Sequence, residues 1–347
     1  LESNLAESLD LLQQVVAHPT LGKADLQRLQ GDRRNALVAA RDNLPWVANR
    51  VFGRLLYGDT YLGRPDVGTL DDVAALRPAD VKAWHRAAWR PDNASLVIVT
   101  RLSQEAVLPI LEKTLGTWKG SKGKPVKVQA ASPTPAKGRA LYWVDRPGAS
   151  QSFVIVGNIG PAFDPAQSMA RALGNHPLGG QFTSRINLNL REDKGYTYGA
   201  RSSLDSEQRG GLFTASASVK ADTTAASIVE FLKELEGVVG GRPLEQAEFD
   251  AARSSLLQGY AGRFEGVGGV LRQFASADAM NLPPGWVAGF AARVDAVDLA
   301  AAQAALSTYL VPANLAIVVV GDRAPAGPAV EALRLGPLVS LADEGRP

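Results

Sequence analysis

The stretch that decides the fold is Leu310-Val311-Pro312-Ala313-Asn314-Leu315-Ala316-Ile317-Val318-Val319-Val320. Its last six residues are apolar and mostly β-branched, a pattern typical of a strand that is buried on both faces of a sheet. A second stretch of the same design lies upstream, Trp89-Arg90-Pro91-Asp92-Asn93-Ala94-Ser95-Leu96-Val97-Ile98-Val99. In each stretch a proline turn precedes an apolar run, so both are predicted to be turns that lead into strands, at residues 94–99 and 315–320.

These two stretches belong to an internal repeat. Pro91 and Pro312 are 221 positions apart, as are Asn93 and Asn314, and a helical pattern near Ala24 recurs near residue 247. An ordered succession of helices followed by a strand surrounds both copies, which favours a duplicated domain. The chain is therefore predicted to be α+β, with two homologous domains that each pack helices on a largely antiparallel sheet.

The boundary between the domains is predicted at residues 119–138. This stretch is rich in Gly, Lys, Ser, Pro and Ala and has no sustained apolar period, so it is predicted to be a linker. Residues 1–118 form the C-terminal part of the first domain, and residues 139–347 form the second domain. The repeat distance puts the beginning of the first domain about 80 residues before Leu1, so we expect that domain to be truncated here.

The composition excludes several classes of function. The 347 residues include 37 Lys and Arg against 35 Asp and Glu, and a net charge of +2 gives no reason to expect a nucleic-acid partner. The absence of Cys excludes disulfides, thiolate catalysis and Cys-ligated metals. The histidines His18, His85 and His176 lack the spacing of metal ligands. No apolar run approaches the roughly 20 residues of a membrane-spanning helix.

Residues 178–199 are the most informative for function. They contain a glycine pair, a helix opened by Thr183 or Ser184 as N-cap, a helix stop at a glycine, and an aromatic strand. Because the stop separates Arg191 from Tyr198, both side chains can point into one cleft and offer a guanidinium and a phenol to a peptide carbonyl. The alternative is a plain helix-to-strand junction in which Arg191 pairs with Glu192.

The motifs in this segment resemble the second-domain signature of the pitrilysin/insulinase family of zinc peptidases: Leu178-Gly179-Gly180, Ser184-Arg185, Leu190-Arg191-Glu192 and Gly195-Tyr196-Thr197-Tyr198. Residues 145–152 resemble the strand that opens this domain, and Leu55-Leu56-Tyr57-Gly58 resembles part of the first domain. The resemblance extends over most of the chain. It implies the metallopeptidase LuxS/MPP-like fold in both domains.

The same resemblance implies that the chain has no catalytic residue and no metal ligand of its own. Family members bind zinc through an H-x-x-E-H motif and a more distant Glu, and this chain contains no H-x-x-E-H. The distant ligand would fall between Gln27 and Asp32, yet no Glu occurs between Glu7 and Glu105. A neutral Gln amide is a poor zinc ligand, and Asp32 is the one alternative carboxylate. Zinc is therefore expected in a partner subunit.

The function that the resemblance implies is that of a noncatalytic, peptide-binding subunit in a heterodimeric zinc metalloendopeptidase. Arg191 and Tyr198 match the Arg/Tyr pair by which such subunits hold extended peptide in a chamber shared with a catalytic paralogue. Two alternatives stay open: an active zinc peptidase whose H-x-x-E-H motif lies upstream of Leu1, and a structural core-type assembly protein of the same fold. By analogy with bacterial subunits of this kind, we expect a periplasmic location.

Overall fold

The computed structural model describes residues 2–120, 133 and 138–343. The chain divides into two compact units, and each unit is discontinuous in sequence. The first unit comprises Leu1–Val38, Val67–Val128 and Ala261–Val287, and the second comprises Ala39–Asp66, Gln129–Tyr260 and Ala288–Pro347. This division differs from the predicted boundary. Ala39–Asp66 lies in the first half of the sequence but belongs to the second unit, and Ala261–Val287 lies in the second half but belongs to the first unit. Most of the predicted linker at 119–138 lies outside the described residues.

The second unit is built on one six-stranded sheet. Its strands are β1 (Ala140–Asp145), β2 (Gln151–Gly160), β3 (Thr197–Glu207), β4 (Gly210–Lys220), β5 (Ala316–Gly321) and β6 (Leu338–Ser340). Their order is β3-β4-β2-β5-β1-β6. The pairs β3–β4, β4–β2 and β2–β5 are antiparallel, whereas β1 pairs in parallel with both β5 and β6. The α+β class is confirmed, and the sheet is mixed with a mainly antiparallel side.

Helices account for most of the remaining described residues. They are α1 (Leu5–Ala17), α2 (Lys23–Ala40), α3 (Leu44–Tyr57), α4 (Leu70–Ala75), α5 (Pro78–Ala88), α6 (Gln104–Lys113), α7 (Pro165–Asn175), α8 (Arg185–Asn187), α9 (Thr224–Val239), α10 (Gln246–Gly262), α11 (Gly266–Ala279), α12 (Phe290–Asp295), α13 (Leu299–Tyr309) and α14 (Arg323–Glu331). Among the described residues, no helix is both long and apolar enough to span a membrane.

Strand β5 lies at the centre of the core of the second unit, and all six of its residues are buried. Its side chains alternate between two apolar clusters because successive residues of a strand point to opposite faces. Ile317 and Val319 pack in the cluster that includes α9, whereas Val318 and Val320 pack in the cluster that includes α3. Burial on both faces explains why the sequence of this strand is apolar without interruption.

Helix α3 covers one face of this sheet, and the sequence analysis did not predict it. The Asn43 side chain accepts a hydrogen bond from the backbone N–H of Trp46 at 2.9 Å, and Pro45 occupies the first turn. This is a strong helix-start signal. Val51 and Phe52 then pack against β2 and β5 in a fully buried layer.

The order and lengths of the elements support the internal repeat. Helices α3 and α11 each have 14 residues, α4 and α12 each have 6, and α5 and α13 each have 11. A 3₁₀ turn follows the last of these in both copies, at Pro91–Asn93 and at Pro312–Asn314. The exchanged segments, which begin at Ala39 and Ala261, are themselves repeat counterparts. Each repeat thus contributes one helix to the unit of the other repeat.

The strand predicted at residues 94–99 is not formed. Residues 94–100 have no regular structure, and Leu96 is exposed. A strand requires a neighbour to pair its backbone N–H and C=O groups, and no strand occurs among residues 2–120. Its repeat counterpart β5 has β1 on one edge and β2 on the other. The structure therefore contradicts the predicted strand, because this apolar run has no neighbouring strand to pair with within residues 2–120.

We predict that Phe52→Ala lowers the free energy of unfolding of the second unit by about 3–5 kcal/mol, because it empties a site in a close-packed core. Phe52 is 1% exposed. The matched control in the same unit is Phe182→Ala, where the ring is 61% exposed and the expected loss is below about 1 kcal/mol. Urea denaturation followed by circular dichroism measures both values. Equal losses in the two variants would contradict the assignment of α3 to the core.

Candidate peptide-binding site

A glycine pair brings the end of a helix directly onto β3. Helix α7 continues into a wide turn at His176–Gly180 that packs against this strand. A Cβ atom on Gly179 would lie 2.3 Å from the backbone nitrogen of Ser202, so no side chain fits there. The Asn175 amide closes the contact, since it donates to the Ser202 carbonyl at 3.0 Å and accepts from the Ser202 hydroxyl at 2.7 Å.

The helical segment that carries Arg191 follows this junction. Helix α8 continues as wider turns over Leu188–Asp193, and Gly195 ends the segment with a φ of +64°. The backbone N–H of Tyr196 then bonds the carbonyl of Leu190 at 2.9 Å before β3 begins. The predicted stop at Gly195 is confirmed. Ser184 occupies the N-cap position, but its buried hydroxyl makes no capping bond, contrary to the prediction.

The buried side chain of Asn187 ties three parts of the site together. Its Nδ2 donates to the backbone carbonyl of Phe182 at 2.6 Å, and its Oδ1 accepts from the backbone N–H of Ala200 at 2.9 Å. Phe182 lies in the loop after the glycine pair, whereas Ala200 lies in β3, two residues after Tyr198. A single amide therefore fixes the loop and the beginning of β3 relative to the helical segment.

The Arg191 guanidinium stacks on an aromatic ring. Its Cζ lies 4.4 Å from the centroid of the Phe182 ring, and its Nε lies 3.3 Å from a carboxylate oxygen of Glu192. The ion pair considered as an alternative from the sequence is therefore present. Neither terminal nitrogen of Arg191 has a hydrogen-bond acceptor within the part of the chain that the structure describes, and the side chain is 36% exposed. Those N–H groups are available to an external acceptor.

Tyr198 is the most exposed large side chain of the site, at 91%. Within the described residues, no hydrogen bond or ring contact joins it to Arg191. The structure thus brings the two predicted residues to adjacent segments linked through Asn187 and leaves both side chains open to solvent. A phenol and a guanidinium in this state can each hydrogen-bond a carbonyl group of a ligand.

A second arginine anchors the helical segment. Arg185 donates to both carboxylate oxygens of Glu248, at 2.6 and 2.5 Å, and to the backbone carbonyls of residues 242 and 243. Burial is the largest single influence on Glu248 and opposes its ionisation, but the hydrogen bonds from Arg185, the bond from the backbone N–H of Glu245 and the charges of Arg185 and Arg242 together outweigh it and hold the pKa of this carboxyl below its ordinary value. The bond to Glu248 also raises the pKa of the Arg185 guanidinium. This bidentate pair secures the start of the segment that carries Arg191.

The helix expected to carry a distant zinc ligand does not fit that role. Gln27 on α2 is exposed, and Gln30 donates to the backbone carbonyls of Val73 and Leu76 at 2.6 and 3.1 Å. The Asp32 side chain is 65% exposed and pairs with Arg28 at 3.1 Å. Across residues 2–120 and 138–343, no three His, Asp or Glu side chains converge on a point where a metal could bind. Gln27, Gln30 and Asp32 therefore do not fit a zinc ligand at this place on α2.

Two of the histidines are occupied by hydrogen bonds. His85 Nε2 lies 2.9 Å from the backbone carbonyl of Val16, and His176 Nε2 lies 3.2 Å from the hydroxyl of Ser255. Burial lowers the pKa of the His176 imidazole, which favours its neutral form. These contacts give the rings structural roles.

Comparison with known proteins identifies the type of domain. Residues 75–256 match the family described as Peptidase M16 inactive domain. An uncharacterized zinc protease of Mycobacterium leprae is 25% identical over 264 residues, which cover 75% of this chain and 58% of that protein. The chain spans about half to three fifths of the length of the first curated relatives that it matches.

Solved structures share the fold. The crystal structure of the peptidase M16 inactive domain from Pseudomonas fluorescens superposes with a TM-score of 0.82 at 22% identity, covering 91% of this chain and 74% of that chain. A chain of complex III from Candida albicans superposes with a TM-score of 0.78 at 13% identity, covering 98% and 81%. At these identities the likeness concerns the fold alone.

We predict that Glu248→Gln lowers the free energy of unfolding at pH 7 by about 1.5–3 kcal/mol, because it removes a charged hydrogen-bond acceptor. The folded pKa of Glu248 lies below the ordinary 4.5, so its stabilisation is present above pH 4.5 and is lost as the pH falls through the folded pKa. The difference between wild type and variant should therefore shrink on acidification, as urea titrations at several pH values would measure. Glu245→Gln, which changes an exposed carboxylate nearby, is the control. A difference that stays constant down to pH 3 would contradict the role of the pair.

Proposed function

The chain belongs to the M16 peptidase family, whose inactive domain it contains, and on that premise we propose that it is a noncatalytic, peptide-binding subunit of a heterodimeric zinc metallopeptidase. The observation that carries the proposal is the pairing of two features. Arg191 and Tyr198 are open to solvent on segments held by buried contacts. The donor set of α2, by contrast, does not suit zinc.

In this proposal, Arg191 and Tyr198 bind the backbone of an extended peptide. The free terminal N–H groups of Arg191 donate to one carbonyl oxygen, and the Tyr198 hydroxyl donates to another. Because Asn187 and the Arg185–Glu248 pair fix both segments before the ligand arrives, little ordering entropy remains to be lost on binding. The scissile bond is thereby oriented toward a catalytic paralogue, which supplies the zinc and the hydrolysis.

The proposal includes a location and a partner. The partner is a zinc-bearing paralogue of the same family, and the substrate is an unfolded or extended peptide. The periplasm is the proposed location, on the analogy of bacterial subunits of this kind.

Two other functions are compatible with the fold, and each has a supporting observation. The curated relatives are named zinc proteases and extend well beyond the matched region, which supports an active peptidase whose metal motif lies upstream. A chain of complex III shares this fold, so the fold is also compatible with a structural role in an assembly. Stoichiometric zinc in the full-length protein alone would favour the first. A stable complex with a partner that is not a peptidase, without peptide binding, would favour the second.

We predict that Arg191→Ala reduces peptide cleavage by the mixture of this protein and its zinc-bearing paralogue by about tenfold or more, because a charged hydrogen bond to the substrate is lost. The assay measures hydrolysis of a fluorogenic peptide by wild-type and variant mixtures at equal concentrations. Arg253→Ala is the control, since this partly exposed arginine pairs with Asp295. Unchanged cleavage with Arg191→Ala would refute the proposed role.

A further inference from the structure

Phe182 presents a large aromatic surface at the site without a structural need for it. The ring is 61% exposed, and one of its faces carries the Arg191 guanidinium. The backbone of the loop is held independently of the ring, by the bond from the Asn187 amide to the Phe182 carbonyl and by the close packing of Gly179 on β3. These backbone contacts of the loop do not involve the ring of Phe182.

The contact with Arg191 gives the ring a first role. A guanidinium over an aromatic face is attracted by the negative potential of the ring. On the same side chain, Glu192 contacts Nε, so the ring and the carboxylate together restrict the rotamers of Arg191 while its terminal nitrogens stay free. Phe182 is thus a positioning residue for the donor that meets the peptide.

The rest of the ring gives it a second role. An exposed aromatic surface that contacts an arginine has the composition of an interaction hot spot, in which aromatic residues and arginine predominate. A side chain that packs there should be apolar and preferably aromatic, to complement the ring.

We propose that Phe182 is a third peptide-contacting residue of this site, one that holds the Arg191 guanidinium and selects an apolar, preferably aromatic, side chain in the bound peptide. The inference rests on the proposed peptide-binding function and extends it from the peptide backbone to a side-chain preference. Nothing in the sequence pattern singles out Phe182, since it stands in a loop without periodicity.

The test uses two fluorescein-labelled decapeptides of glycine, serine and alanine, one with a central phenylalanine and its twin with alanine at that position. Fluorescence anisotropy measures their affinities for the full-length protein. Wild type should bind the phenylalanine peptide about threefold tighter or more. In Phe182→Ala this ratio should fall to about one, and Phe182→Tyr should restore it. The control Leu188→Ala, which shortens an exposed side chain of the same helical segment, should keep the wild-type ratio.

A double-mutant cycle separates the positioning role from direct contact. Phe182→Leu should weaken binding of the alanine peptide about two- to fivefold in the wild-type background, because the cation–π contact is lost. In the Arg191→Ala background the same substitution should have no effect on that peptide. Effects of Phe182→Leu that are equal in both backgrounds would overturn the positioning role.

The outcomes for the two proposals are distinguishable. If wild type binds neither peptide, or if Arg191→Ala binds both as tightly as wild type does, the proposed function and this inference fail together. If Arg191→Ala loses binding but Phe182→Ala keeps the wild-type ratio between the peptides, the function stands and the selection by Phe182 is refuted. Equal urea midpoints for wild type and Phe182→Ala, expected for so exposed a ring, ensure that a lost ratio reports on recognition.

Discussion

The backbone N–H and C=O groups of a central strand must form hydrogen bonds with a neighbouring strand on each edge, and its side chains must be buried on both faces of the sheet. In the second unit, β5 is the strand with these requirements. Its edges are met by β1 and β2, and its faces by the clusters that contain α3 and α9. Every other element of the unit is placed relative to that arrangement, including β4 and β3 farther along the sheet. The candidate site lies at the far edge, where β3 begins.

At that edge, rigidity comes from polar contacts. The Asn187 amide donates a hydrogen bond to a loop carbonyl and accepts one from a strand N–H. The Arg185 guanidinium donates to a carboxylate and to two backbone carbonyls. Such bonds are strong where water is excluded, and they fix direction as well as distance. Arg191 and Tyr198 are thereby presented to solvent from a frame that needs no ligand to form. This preformed frame is what the proposed binding of a peptide backbone requires.

The sequence predicted strand β5 and the helix stop at Gly195, because an uninterrupted apolar run and a glycine that ends a helix are local signals. It failed where an element depends on distant partners. Helix α3 was not predicted because its apolar face packs on strands that come much later in the chain. Residues 94–99 were predicted to be a strand, but no strand within residues 2–120 pairs with them. Arg191 and Tyr198 were found through a family motif, whereas Phe182 and Asn187 were not, because a loop aromatic and a helical amide carry no periodic signal.

Helix α3 lies in the first repeat but belongs to the second unit, and α11 lies in the second repeat but belongs to the first unit. This exchange of helices bears on the origin of the chain. A homodimer whose protomers exchanged one helix each would leave this discontinuity once its gene had been duplicated and the two copies fused in tandem. After fusion, neither copy contains all the parts of one compact body, so the copies cannot be separated by cutting the polypeptide between them. Each compact unit contains side chains from both repeats, so a substitution in one repeat must still pack against residues that the other repeat encodes. This requirement limits how far the two repeats can diverge in sequence.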